Sequence, residues 1–457
     1  MEPSLLPFAF LIPIGVLLAG WASVPTSRLR ESALAALVAA ITSVVAYVGF
    51  GFAFQFGGVG LSPTAPAGLA GLDKAWSPFP GSAGQWTFVG LEGFLLSAQG
   101  PAQSLALLEP LALHRLPLAI AAGLVPVVAL GNDANRVATI AASIISSALV
   151  FPATGAWIWG GGWLADLGAT LNLGHGAIDV AGSGIAFFGP ACVALVALRL
   201  FRQPGAATKP DVALPKLRQP LLATLGALLF GAGWCAWALS DPLLSAYSVT
   251  EFGGVAAIGF FCAAASMAAA GAYIWLASGR FHLGMLLRGW LAGWVAASAS
   301  AWFIPPGSAL IIGPISGIAT VFSQYIFERR WGLRDHAGTV ATYGIAGAWG
   351  LIAVGLFADG AFGSGWNGVS TLRGVQGILA ADPGQLSAQL AALMAIGSFA
   401  ACVAAVLLLP ISYIVRRFPS TPDTQVPAEA GPIAAAATQS ESADLGAAPT
   451  SNSNSQL

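Results

Sequence analysis

Asp179-Val-Ala-Gly-Ser-Gly-Ile-Ala-Phe187 is answered in the second half of the chain by Asp335-His-Ala-Gly-Thr-Val-Ala-Thr-Tyr343. In each copy an acid opens an apolar helix, Ala-Gly-Ser/Thr follows in register, and an aromatic stands eight residues after the acid. A duplicated element on two separate apolar spans predicts two related halves, the organisation of transporter-type membrane folds. Eight helical residues advance roughly 12 Å at ~1.5 Å each, less than half of a hydrocarbon core about 30 Å thick. Phe187 and Tyr343 are therefore expected near the middle of the membrane, lining whatever the two halves enclose.

Outward from that phrase, composition sets the class. Hydrophobic residues make up 56% of the 457 and charged residues 8%, a balance that soluble domains do not show. The chain reads as a polytopic membrane protein with the lipid bilayer as its solvent. A net charge of −1 gives no case for a nucleic-acid partner. Cys192, Cys235, Cys262 and Cys402 lie inside apolar runs without Cys-x-x-Cys spacing or a nearby His, so they read as small buried hydrophobes. No cofactor, metal site or disulfide framework is implied. Without a phosphate loop, a nucleophile beside a base or a facing pair of acids, nothing points to an enzyme.

Apolar runs long enough to cross, about 20 residues each, fall near 4–23, 32–55, 107–131, 137–160, 179–201, 217–238, 252–277, 283–301, 307–326, 338–358 and 388–415. The expected fold is an all-α membrane protein of eleven transmembrane helices. Of the 18 Lys and Arg, all but Lys74, Arg115 and Arg373 fall on one side of this arrangement, which places the N-terminus outside and the C-terminus in the cytoplasm. The first run is preceded by Glu2 and no basic residue, and no clean cleavage site follows it, so it reads as a retained span rather than a signal peptide.

Residues 1–417 are expected to form one transmembrane domain. The tail 418–457 lacks Lys and Arg and is rich in Ala, Ser, Thr, Pro and Gln, so it cannot bury a core and is expected to be disordered. Gly57 to Gln103 carries Pro63, Pro66, Pro78 and Pro80 and a short apolar piece around Trp86 to Leu96. That piece is too short to span and reads as an extracellular loop or a helix lying over a pore mouth. The 57 glycines let helices approach closely where no hydrophobic force draws them together. Gly344, Gly347 and Gly350 form one such stripe.

Phe50-Gly-Phe-Ala-Phe-Gln-Phe-Gly-Gly-Val-Gly-Leu61, Trp159-Gly-Gly-Gly-Trp-Leu-Ala165, Leu173-Gly-His-Gly-Ala-Ile-Asp-Val-Ala-Gly-Ser183, Gly313-Pro-Ile-Ser-Gly317 and Gly350-Leu-Ile-Ala-Val-Gly-Leu-Phe-Ala-Asp-Gly360 resemble the ammonium transporter family (Amt/Mep/Rh). The likeness runs from about residue 10 to 415. It implies eleven spans arranged as two inverted five-helix halves plus a final helix. It also implies a homotrimer in the plasma membrane with one pore per protomer, and ammonium or ammonia as substrate. In that family a Trp recruits the cation at an outer vestibule, aromatic rings gate the entry, and a pair of pore His handles the proton. The physical need is plain: a bare ammonium ion in apolar surroundings must be held by dipoles and ring faces or give up its proton.

Carried over residue by residue, the resemblance puts the recruiting Trp at Trp159 and the acid at the base of that site at Asp179. The paired His are absent, and Phe187 and Tyr343 occupy their positions. Phe has no proton to exchange, and a Tyr hydroxyl with a pKa of about 10 is a poor relay at neutral pH. The third-span gate position reads Ala121, within Pro117-Leu-Ala-Ile-Ala121. The sixth-span signature reads Gly233-Trp-Cys-Ala-Trp-Ala238, which sets Trp237 at the second gate ring, and the vestibule serine position reads Asp241. Ala134-Asn-Arg136 replaces an Ala-Glu-Arg signature and Arg288-Gly289 replaces an Asn-Gly. The regulatory C-terminal motif is missing, which weakens the implied PII-type regulator.

Each of these residues also has a structural reading. Asp179 is an N-cap, Trp159 an interface aromatic and Asp241 a solvated loop acid. Arg288 is expected to snorkel to the cytoplasmic surface. His114, His175, His282 and His336 fall at span ends or in loops, too far from the mid-pore to replace the lost pair. The expected function is an ammonium/ammonia permease with an aromatic-lined pore. The alternatives are a non-conducting sensor or partner subunit of the same family, and a channel for another small neutral solute.

Overall fold

In hydrocarbon a long apolar run satisfies its backbone N–H and C=O groups internally only as a helix, and every run named above becomes one. The computed structural model describes residues 3–24, 28–79, 81–82, 84–131, 136–201, 217–244, 249–369 and 373–417. Its long helices are α1 (Leu6–Trp21), α2 (Leu29–Ala46), α3 (Leu108–Leu130), α4 (Arg136–Ile158), α5 (Ser183–Leu200), α6 (Pro220–Leu239), α7 (Val249–Ser278), α8 (Leu283–Ser300), α9 (Pro306–Arg329), α10 (Val340–Phe357) and α11 (Pro383–Arg417). The protein is an all-α, multi-pass membrane protein.

Among the described residues, nine helical segments are long and apolar enough to cross a membrane, and α1 and α8 lie outside that set. The case of α8 has a physical reason. It is buried along nearly its whole length, with Trp290, Trp294 and Ser298 all shielded by other helices. A helix with no lipid face gains nothing from a uniformly apolar surface. α1 falls short in length alone.

The two copies of the repeated phrase take the same local form. Each opens its helix with a π-helical turn, Ser183–Phe188 in α5 and Val340–Ile345 in α10. The acid turns back on the helix start. Asp179 Oδ2 accepts the N–H groups of Gly184 and Ile185, each at 2.9 Å, and Asp335 Oδ2 accepts that of Val340 at 2.7 Å. A carboxylate among the orphan amides of a helix N-terminus is stabilised by their dipoles.

Glycines decide where the halves touch. A Cβ on Gly15 of α1 would stand 2.6 Å from the Phe230 nitrogen, and one on Gly226 of α6 would stand 2.5 Å from the Ala19 nitrogen. The first helices of the two halves therefore cross backbone to backbone. The predicted stripe acts likewise at the second crossing, where a Cβ on Gly350 would lie 2.5 Å from Ser183 Oγ and one on Gly347 would meet the Ser183 carbonyl. Ser183 completes the joint by donating to the Val295 carbonyl at 2.6 Å and accepting the Ala299 N–H at 2.8 Å, both on α8.

One of two readings of a connecting segment falls away, and the reading of the cysteines changes. The apolar piece around Trp86 to Leu96 contains no surface helix: Val89–Gly90 pairs antiparallel with Ala75–Trp76, and a single 3-10 turn covers Phe94–Leu96. Lys74 and Glu92 close this ladder with an ion pair at 2.6 Å. Of the cysteines only Cys262 is buried; Cys192 and Cys235 are half-buried and Cys402 is exposed on α11. One compact unit covers Met1–Tyr413, and the second, Ile414–Leu457, is described only over the residues that finish α11. The expected disordered tail 418–457 and the bases Arg202, Lys209 and Lys216 lie outside the described residues.

Candidate functional site

Two aromatic assemblies touch the segments that carry the repeat. The first gathers around Trp159, directly after the last residue of α4. Its indole N–H donates to the Asp179 carbonyl, which fixes the ring plane. Trp237 on α6 is fixed in the same manner: its indole N–H donates to the His114 carbonyl at 3.0 Å, and His114 Nε2 bonds the Trp237 carbonyl at 2.9 Å. A carbonyl only accepts, so the His114 proton is on Nε2.

Between the two indoles stands Arg115. Its guanidinium carbon is 4.6 Å from the Trp159 ring centroid and 4.9 Å from that of Trp237. Nη2 lies 3.3 Å from Asp241 Oδ2, with the two side chains only 3% and 1% exposed. Asp241 is in turn held by the Leu243 N–H at 2.9 Å. Burial works to raise its pKa, yet the Arg115 charge beside it keeps the carboxyl below its ordinary range. Asp241 is thus no solvated loop acid, because α3 delivers a buried counter-ion to it. A second unit charge about 4 Å from Arg115 would be repelled by roughly 4 kcal/mol at an effective dielectric of about 20.

The second assembly is the pair singled out by the repeat. Phe187 and Tyr343 stack with centroids 5.8 Å apart and planes 18° apart, and Phe230 of α6 packs on them at 5.7 and 6.4 Å. All three rings are buried. Tyr343 also lines a cavity of about 30 Å³, bordered by Ser23, Arg288, Thr339 and Thr342. That is space for one water-sized molecule.

A model described as the ammonium transporter family matches residues 8–425. The chain belongs to the ammonium transporter family. Among curated relatives, Amt2 of Archaeoglobus fulgidus is 34% identical over 226 residues, 48% of this chain and 47% of that one. An ammonium transporter of Bacillus subtilis is 26% identical over 276 residues, 59% of this chain and 61% of that one. The chain thus spans about half to three fifths of the length of these relatives. Two solved structures share the fold: one titled Sensor Amt Protein, at 21% identity and TM-score 0.71 over 91% of this chain and 92% of that one, and Mep2 of Candida albicans, at 20% and 0.71 over 90% and 83%.

Family membership gives the placements above their meaning. The α3 side chain that stands against the Trp159 and Trp237 rings is Arg115; Ala121 is buried six residues on, about 9 Å further along the helix. Asp179 makes two contacts through one residue: its carboxylate caps α5, and its carbonyl accepts the Trp159 indole N–H. Arg288 does not snorkel. It is 8% exposed and turns inward, Nη1 donating to Gln324 Oε1 and Nη2 to the His336 carbonyl at 2.6 Å. His175 is also buried, in a segment that α11 clamps: Gln385 accepts the His175 N–H at 2.9 Å, and Gln389 accepts the Ile178 N–H at 2.8 Å.

Sequence reasoning missed Arg115 and His114 as site residues. The available signal was position, because an ionisable residue well inside an apolar run is by default a functional candidate. Arg115 lies inside the run 107–131, yet it reads there only as one of three bases on the sparsely charged side. Among the described residues, no group of three or more His, Cys, Asp or Glu converges as a metal would require.

Proposed function

We propose that this chain is an ammonium/ammonia permease of the plasma membrane, N-terminus outside and C-terminus cytoplasmic, working as a homotrimer of eleven-span protomers. The observation that carries the reading is the stacking of Phe187, from one half, on Tyr343, from the other, where the fifth helices of the two halves cross. In this reading Trp159, Trp237 and Asp241 stand at the outer mouth, the stacked rings form the constriction, and the cavity beside Tyr343 is the first space beyond it. An apolar constriction without imidazole offers an ammonium ion no proton acceptor and no replacement for its hydration shell. Neutral ammonia meets neither obstacle. The species that passes the rings is therefore ammonia, and transport is electrically silent. Here the rings close the passage, and rotation of one of them opens it.

Flux of ammonium and methylammonium in proteoliposomes, recorded together with current, tests this reading. Saturable or graded uptake without substrate-dependent current is expected; flat flux at every concentration rejects the permease, and a substrate-dependent current rejects the neutral species. The sealed ring stack also favours a second reading, a non-conducting sensor or partner subunit. On that reading the double substitution Phe187→His, Tyr343→His opens a silent protein, and a double variant as silent as its parent counts against it.

A further inference from the structure

We propose that Arg115 is a tethered cation that fills a cation-binding cage made by Trp159, Trp237 and Asp241, so that no external cation is held at this mouth while the guanidinium stays in place. Two features of the guanidinium point to this. Its carbon lies over both indole faces, at 4.6 and 4.9 Å, while Nη2 pairs with the Asp241 carboxylate at 3.3 Å. Its Nε and Nη1 are buried and make no hydrogen bond among the described residues; the electron-rich ring faces are what stands against the guanidinium besides Asp241.

The positions of the cage walls are set by bonds that do not involve the occupant. The Trp159 indole is tied to the Asp179 carbonyl, the Trp237 indole to the His114 carbonyl, and Asp241 to the Leu243 N–H. None of these bonds involves Arg115; removing it leaves the buried Asp241 carboxylate without its counter-ion, a charge that a new cation would balance, and a preorganised site loses little in ordering itself around a new ligand. The chemistry of the walls defines that ligand. It is a small cation that presents a flat or compact charge to two indole faces and donates to one carboxylate: an alkylguanidinium first, methylammonium or ammonium after it.

The inference rests on the permease reading, to which it adds that substrate reaches this mouth as a neutral molecule because the site that would hold its ion is already full. The test is a binding experiment on the full-length protein in detergent. Arg115→Ala is titrated with ethylguanidinium chloride, against sodium chloride at equal ionic strength, and followed by tryptophan fluorescence and by the unfolding midpoint. Arg115→Ala is expected to bind ethylguanidinium saturably and at least about tenfold more tightly than the unaltered protein, a difference of about 1.4 kcal/mol. Adding Asp241→Asn is expected to abolish that binding. Methylammonium is expected to give no saturable signal with the unaltered protein at this site.

A flat ethylguanidinium titration in folded Arg115→Ala overturns the proposal. So does saturable methylammonium binding to the unaltered protein that Trp159→Leu removes, and this second measurement decides the matter alone if Arg115→Ala does not fold. Neither titration involves flux. A cage that takes ethylguanidinium in a protein that moves no ammonium would sink the permease reading and leave this one standing.

Discussion

Arg115 and Arg288 are both buried arginines, each linked to one copy of the repeated phrase, and they are held in opposite ways. Arg115 touches the first copy through Trp159, whose indole bonds the Asp179 carbonyl. Arg288 touches the second through the carbonyl of His336, the residue after Asp335. At the Arg115 end the direct partners are an ionised carboxylate and two ring faces. At the Arg288 end they are the neutral oxygens of Gln324 and His336, and the carboxylates of Glu328 and Asp335 act on it from further off. The first arrangement is a cation site in which charge is matched by charge, so removing either member leaves an unbalanced ion. The second is a strut joining α8, α9 and the approach to α10, and removing one acceptor leaves the other.

The sharpest way to break this contrast is Asp241→Ala, which strands the Arg115 charge in the interior. Its expected cost is about 3–5 kcal/mol, read as a fall in the unfolding midpoint in detergent. At the other end Gln324→Ala removes one charge-assisted bond from Arg288 while the His336 carbonyl remains. A smaller loss of about 1.5–3 kcal/mol is expected there. Equal losses at the two ends would mean that both arginines are struts.

Smaller still is the pair Asp179→Ala and Asp335→Ala. Each removes a helix cap, at about 0.5–2 kcal/mol, and the first is expected to cost more because its carboxylate accepts two N–H groups where Asp335 Oδ2 accepts that of Val340. The first substitution leaves the Asp179 carbonyl, and hence Trp159, in place. A change in the fluorescence of Trp159 with Asp179→Ala would show that the cap and the cage are one unit.

The contrast extends to pH dependence, where two carboxyls act with opposite sign. Asp241 is held below its ordinary value of 3.8, so its contribution is complete at neutral pH and disappears as pH falls below about 4. Asp166, in the loop after α4, is pushed up to about 6 by burial. Between about pH 4 and 6 the folded chain binds a proton there that the unfolded chain has released, so stability falls as pH rises through that window. Unfolding midpoints across this range should lose the downward slope in Asp166→Asn and keep it in Asp241→Asn.

The fold was legible because its causes are local. Apolar runs force helices, and the paired phrases mark the two helices whose starts are capped alike. The Gly344-Gly347-Gly350 stripe marks a close crossing, since a missing Cβ is visible in one residue. The candidate site was legible only in part. Trp159, Asp179, Phe187, Tyr343 and Trp237 could each be named from motif positions, but their partners could not. Arg288 shows why: whether a long side chain snorkels or turns inward depends on whether acceptors wait inside, and Gln324 and His336 come from other segments of the chain.

By itself the sequence determined that two related helices each carry an aromatic at the same distance from a capping acid, because helical rise converts an eight-residue offset into a set length. Only the tertiary structure decided what occupies the cage at the mouth. Residues 115, 159, 237 and 241 are brought together by the packing of α3, α4 and α6, and the balance of charge in a buried site is a property of that assembly rather than of any one of its segments.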